Sequence, residues 1–324
     1  MHLLFGLSSL FLVMLGGLFI LWLLRHLPDW PWRRDLQLTI LAAPLASLGL
    51  GVSGLQHLSG RTCFITAPPW DYTLGAAIPL VMALVAAGGL GLGLARHSFM
   101  AWKVARRGLP ARPELQSLAD LLAEQLGAPR CRLLFYVYDR PLAFTHGLLR
   151  PRVLLSTWMV EHLDQRELEA VLAHELAHAA RRDYLVVWLG TVLRDAFFYL
   201  PTSWAAYRQL QREKELACDD LAGGATGRPL ALASALGKVW RQAAGGASLG
   251  TAQSLVGVGE RIESRIVRLL RAPSSAVRRP RSRLIALGIG GSGLAGLLAL
   301  EALSMAAILA PMGCGPVTTF LRIV

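Results

Sequence analysis

The strongest constraint on this chain is a set of four long segments almost free of charge. No Asp, Glu, Lys or Arg occurs between Met1 and Leu24, between Leu36 and Leu58 or between Leu74 and Ala95, and Glu301 alone interrupts the run from Leu284 to Ile308. About 20 apolar residues cross a bilayer as a helix, so the runs predict spans over about 3–24, 36–58, 74–95 and 284–308. The composition agrees: of 324 residues, 54% are hydrophobic and 17% charged, where an ordinary soluble protein carries about 25% charge. The first run opens on Met1-His2 and ends in Leu23-Leu24-Arg25. It lacks the basic start and small-residue cleavage site of a secretory signal and is read as an uncleaved helix.

Charge between the runs sets the expected orientation. The first connection holds Arg25, Arg33 and Arg34, the second Arg61 with Asp71, and the third, Arg96 to Arg283, most of the arginines. By the positive-inside rule the first and third connections are cytoplasmic and both termini lie outside. The net charge of +12 is then explained by topology and calls for no nucleic acid. The expected fold class is a multi-pass α-helical membrane protein of four transmembrane helices with an inserted α+β domain. Its divisions are a three-helix block over 1–98, a cytosolic domain with a basic linker over 99–283, and a fourth helix with a short outer tail over 284–324.

Within the inserted domain, Pro113–Leu126 has helical periodicity, Arg132–Tyr138 is rich in β-formers, and Leu142–Leu155 suits a hairpin or two short edge strands. The apolar Tyr184–Leu200 contains Arg194 and Asp195 and is short for a span. It is read as a buried helix, or one dipped into the inner interface.

The chemistry is concentrated in HELAH: His174, Glu175 and His178. Residues four apart share a helical face, so both imidazoles can reach one Zn²⁺ while Glu175 addresses a water there. Asp164 with Glu167 forms a D-x-x-E capping pattern at the start of that helix. A catalytic zinc takes three protein ligands, and EKELACDD offers Glu215 as the third, with Asp219 one turn later to accept a hydrogen bond from a ligating imidazole. Glu213 and Asp220 read as members of a solvated helix face. A helix whose histidines merely pair with acids is the competing reading of HELAH.

HELAH followed by Arg181-Arg182-Asp183, an apolar helix ending in Phe197-Phe198-Tyr199-Leu200-Pro201, Trp204, and then Glu215-x-x-Cys218-Asp219 resembles the BlaR/MecR-type integral-membrane metallopeptidases. The resemblance implies a gluzincin, with Glu as third zinc ligand, in a bacterial inner membrane. It further implies a cytosolic protease domain between the third and fourth helices and cleavage of itself or of a cytosolic transcriptional repressor. In antibiotic-sensing members a penicillin-binding domain follows the fourth helix, whereas this sequence continues only to Val324. A stimulus is therefore expected through the membrane helices, the outer loops or a partner. Rival readings are an HtpX-like quality-control protease and a catalytically inactive receptor or scaffold.

Other features carry weaker expectations. His146, Arg182 and Tyr184 are the candidates for stabilising an oxyanion, and Leu142–Thr145 could present an edge strand to an extended peptide. Arg271–Arg283 reads as a basic juxtamembrane tether, and by resemblance as a self-processing site. Gly288, Ser292 and Gly296, with Gly89 and Gly93, suggest close helix packing. They do not form a dinucleotide loop, although GIGGSG matches that pattern. Cys63 and Cys314 fall on the expected outer side and could pair. Glu301 needs a partner or an interfacial position.

Overall fold

The computed structural model describes residues 2–26, 33–45, 69–147, 151–245 and 252–271, with single positions 296 and 299. Ten helices are described among these residues. They are α1 His2–His26, α2 33–45, α3 Pro69–Arg107, α4 Pro113–Leu126, α5 Thr157–His162, α6 Gln165–Arg181, α7 Asp183–Ala196, α8 Pro201–Thr226, α9 Pro229–Gly245 and α10 Ala252–Arg271. The strands are β1 Leu109–Pro110, β2 Arg132–Tyr136, β3 Ala143–His146 and β4 Arg152–Ser156. Two compact units result. One gathers Met1–Leu94 with Gly190–Leu210, the other Ala95–Leu189 with Gln211–Arg279. Gly190–Leu210, placed in the inserted domain by the sequence division, is grouped here with the N-terminal helices.

In the second unit the strands form one sheet in the order β1-β2-β4-β3. β2 runs parallel to β4, and the other two pairings are antiparallel. The segment read as a hairpin is one, β3 with β4, but only β3 is an edge; β4 lies inside the sheet. Alternation along β2 sends Leu133 into the main core and Leu134 to the opposite face with Leu154. The core unites Leu122 of α4, Leu133, Val153 and Leu155 of the sheet, Leu172 and Leu176 of α6, and Leu232 of α9.

Helix α6 is central to this unit, packing against α4, α9 and β3. Its start follows from local sequence. The Asp164 side chain accepts from the backbone N–H of Arg166 and Glu167, and the Glu167 carboxylate accepts from the Asp164 N–H. That capping box leaves fewer orphan donors at the helix start. Glu167 also receives Lys238 Nζ and Ser234 Oγ from α9, at 2.6 Å each. Burial would raise the Glu167 pKa, but these bonds outweigh it and hold the carboxyl below its ordinary value. The helix ends at Arg182, whose φ of 54° is left-handed.

In the first unit, α1 presents Phe11, Leu15, Leu18, Phe19 and Trp22 to the outside, and α3 presents Leu80, Val81, Leu84 and Leu92. Exposed apolar surface on this scale marks an interaction face. Among the described residues no helix is long and apolar enough to cross a membrane. The described side chains of α1 begin only at Phe11. Helix α3 runs beyond the expected end of its span, through Arg96 to Arg107. Gly89 and Gly93 of α3 do mark a close approach, and the partner is α7. A Cβ on Gly89 would fall 2.7 Å from the Asp195 carbonyl oxygen, and one on Gly93 3.0 Å from Val192 Cγ2. A Cβ on Gly296 would meet nothing within 4 Å. Cys63, Cys314, Glu301, Gly288, Ser292 and the linker from residue 272 lie outside the described residues.

Candidate metal centre

The helical spacing of HELAH places His174, Glu175 and His178 on the buried side of α6, each less than a tenth exposed. The two imidazole rings lie edge to face, centroids 4.8 Å apart. Glu215, from the middle of α8, reaches both: its Oε2 is 3.4 Å from His174 Nε2 and its Oε1 is 3.9 Å from His178 Nε2. One ligand atom from each of the three residues can be chosen with all lying within 4.8 Å of one another. Zinc bonds of 2.0–2.2 Å in a tetrahedral arrangement put neighbouring ligand atoms about 3.4 Å apart. The donor set and its spacing therefore fit one zinc ion.

Both rings are oriented from behind. His174 Nδ1 lies 3.0 Å from Asp219 Oδ1, although off the line of a well-directed ring hydrogen bond. His178 Nδ1 lies 3.1 Å from Asp183 Oδ2. A carboxylate only accepts, so with a metal bound at Nε2 the proton of each ring would sit on Nδ1, toward Asp219 and Asp183. Asp219 was expected from sequence. Asp183 was not, although the signal was present: the left-handed residue Arg182 starts α7 at Asp183 beside the helix that has just ended.

Asp183 Oδ2 collects further donors, Arg181 Nε at 3.0 Å and the Cys218 thiol at 3.2 Å. Burial acts to raise the Asp183 pKa, but His178 and Arg181 outweigh it and hold it below its ordinary value. Burial, with Asp183 nearby, pushes the Cys218 thiol well up. Cys218 thus remains a neutral donor to the carboxylate that orients His178, and the cluster His178, Asp183 and Cys218 serves the centre from its outer side.

The second residue that sequence reasoning missed is Arg265 of α10. Its Nε and Nη2 each lie 2.7 Å from Asp219, and its Nη1 is 3.2 Å from Glu215 Oε2. Lys214 Nζ lies 2.9 Å from Glu215 Oε1. Burial opposes charge on these carboxylates, yet His174 and Lys214 keep Glu215 well below its usual range, and Arg265 and His174 hold Asp219 below its own. Conversely, burial lowers and the carboxylates of Asp219 and Glu215 raise the His174 pKa, which is pushed up to about 9. A site that favours a proton this strongly in the absence of metal has negative charge to offer a cation. Asp220, in contrast, faces out to Arg268 at 2.7 Å.

Glu175 is held from the sheet. Thr145 Oγ1 of β3 lies 2.9 Å from Glu175 Oε2 and 2.7 Å from its backbone carbonyl. Of the three oxyanion candidates, His146 and Tyr184 meet edge to face at 4.9 Å, whereas Arg182 is the C-cap of α6.

Residues 92–222 match the family described as BlaR1 peptidase M56, a stretch that contains every residue of the centre except Arg265. Among curated proteins, the chain is 33% identical over 162 residues to protease HtpX homolog 1 of Streptomyces coelicolor, covering 39% of this chain and 53% of that protein. It is 27% identical over 231 residues to a protease HtpX homolog of Acidiphilium cryptum, covering 58% of this chain and 77% of that protein. A Pyrobaculum calidifontis HtpX homolog is 38% identical over 90 residues, 27% of this chain and 26% of that protein. The alignment thus spans about half the length of the Streptomyces relative and a quarter of the Pyrobaculum one. The family and the relatives that match carry peptidase and protease names, and the centre on α6 and α8 lies within residues 92–222.

Proposed function

We propose that this chain is a membrane-anchored zinc endopeptidase that hydrolyses peptide bonds of a cytosolic protein, in regulated signalling through cleavage of a repressor or of itself. The observation that carries the reading is the convergence of His174, His178 and Glu215, with Glu175 beside them. His174 Nε2, His178 Nε2 and the Glu215 carboxylate would hold zinc, which supplies Lewis acidity toward a scissile carbonyl and toward water. Glu175 takes the proton of the attacking water as the new C–O bond forms, then delivers it to the amine nitrogen as the C–N bond breaks. Asp183 and Asp219 hold the imidazoles through both steps, and Arg265 keeps Asp219 ionised. An extended substrate pairs with the outer edge of β3, alongside the α6 helix.

Membrane placement rests on the charge-free runs and on the bulky apolar side chains that α1 and α3 expose. Both termini then lie outside and the protease unit in the cytosol. An HtpX-like role in membrane-protein quality control is the second reading, favoured by the HtpX homologs among the relatives. Comparative proteomics of cells carrying the wild type or Glu175→Ala decides between them. One cytosolic DNA-binding protein, or the chain itself, cut only in the wild type supports signalling. Accumulation of misfolded membrane proteins in the variant supports quality control, and identical proteomes contradict both.

A further inference from the structure

We propose that Thr145 is a positioning residue for Glu175, setting the direction of its carboxylate and its distance from the β3 edge with one hydroxyl; this rests on the reading of Glu175 as general base. The contacts are side chain to side chain, Thr145 Oγ1 to Glu175 Oε2 at 2.9 Å, and side chain to helix backbone, Thr145 Oγ1 to the Glu175 carbonyl at 2.7 Å.

Strand alternation puts Thr145 on the α6 face. Its register partner is Val153, a main-core residue, and Ala143, two positions earlier, packs on that core. Phe144 points to the other side, with Leu134 and Leu154. The hydroxyl has one proton and two acceptors, so the two contacts share it. A carboxylate gripped at Oε2 has lost rotation about its terminal torsion, which is otherwise broad. Oε1 is then the oxygen left to exchange a proton. The backbone contact fixes the separation between the helix that carries the base and the strand whose far edge has no strand partner among the described residues. One residue therefore sets the geometry between a β-paired peptide and the group that acts on its bond. Small misplacements at such a point act on the rate of the bound complex, so the effect belongs to kcat.

The test compares full-length, detergent-solubilised wild type with Thr145→Val, which keeps the shape and removes the hydroxyl, and Thr145→Ser, which keeps the hydroxyl. Each is assayed for kcat and KM on fluorescein-labelled casein, zinc content and thermal midpoint, with Glu175→Gln alongside. Thr145→Val is expected to lose about tenfold or more in kcat, with KM within about twofold and zinc content unchanged, while Thr145→Ser stays within about threefold of wild type. Wild-type kcat in Thr145→Val, equal losses in both variants, or a loss that follows zinc content would overturn the positioning role. If Glu175→Gln retains wild-type activity, the general-base reading itself fails, and the Thr145 proposal with it.

Discussion

Asp183 draws its role from two near neighbours in sequence and one distant one. It is one position beyond the left-handed Arg182, yet its carboxylate accepts from His178, Arg181 and Cys218 at 3.0–3.2 Å. Its charge and its three donors fix the imidazole tautomer that leaves Nε2 available. Partners of this kind are typically worth about 10–100-fold in metal affinity. Asp183→Asn keeps the shape and one acceptor oxygen, so we expect zinc to bind about tenfold more weakly, read by competition with a chelator. Unchanged affinity would reduce Asp183 to an ordinary buried acid. HELAH and E-x-x-C-D were legible because their members are four residues apart on single helices. Asp183, Arg265 and Thr145 were not, because each meets its partner across a turn, or across 30 residues for Thr145 and 46 for Arg265.

At the scale of elements, local rules predicted well where local energy decides. Pro113 at the helix start and the left-handed Gly127 at its end delimit α4 over the residues expected for it, and the capping box starts α6. Prediction failed where packing decides. β1 is two residues long and contains Pro110, so only its pairing with β2 identifies it. Helix α3 continues through charged residues that suggested its end. The approach of α3 to α7 depends on a missing side chain: a Cβ on Gly89 would lie 2.7–2.8 Å from the backbone of Asp195 and Ala196, which cannot rotate away. Gly89→Ala is therefore expected to destabilise by about 1–3 kcal/mol, as overpacking does. Gly88→Ala, with nothing within 4 Å, should be neutral or stabilising by up to about 1 kcal/mol, because alanine favours the helix. Thermal midpoints of the two variants in detergent check this, and equal midpoints would show that α3 and α7 do not pack as described.

For the whole molecule, the apolar excess and the basic excess have separate origins. The apolar runs dominate the N-terminal helices, whereas the ionised groups of the metal centre come from α6, the start of α7, the later part of α8 and α10, all within the second unit. The positive net charge coexists with a local surplus of carboxylates, Glu175, Asp183, Glu215 and Asp219, of which Asp183 and Asp219 are almost fully buried. Buried carboxylates are retained where cations answer them, and here the cations are Arg181, Lys214, Arg265 and, in the absence of metal, protonated His174. A zinc ion held by His174, His178 and Glu215 is the central claim. Metal analysis of the purified full-length chain against Glu215→Ala tests it most directly. About one zinc per chain is expected for the wild type and less than about a tenth of that for the variant after brief chelation; no zinc in the wild type, or equal zinc in both, would contradict it.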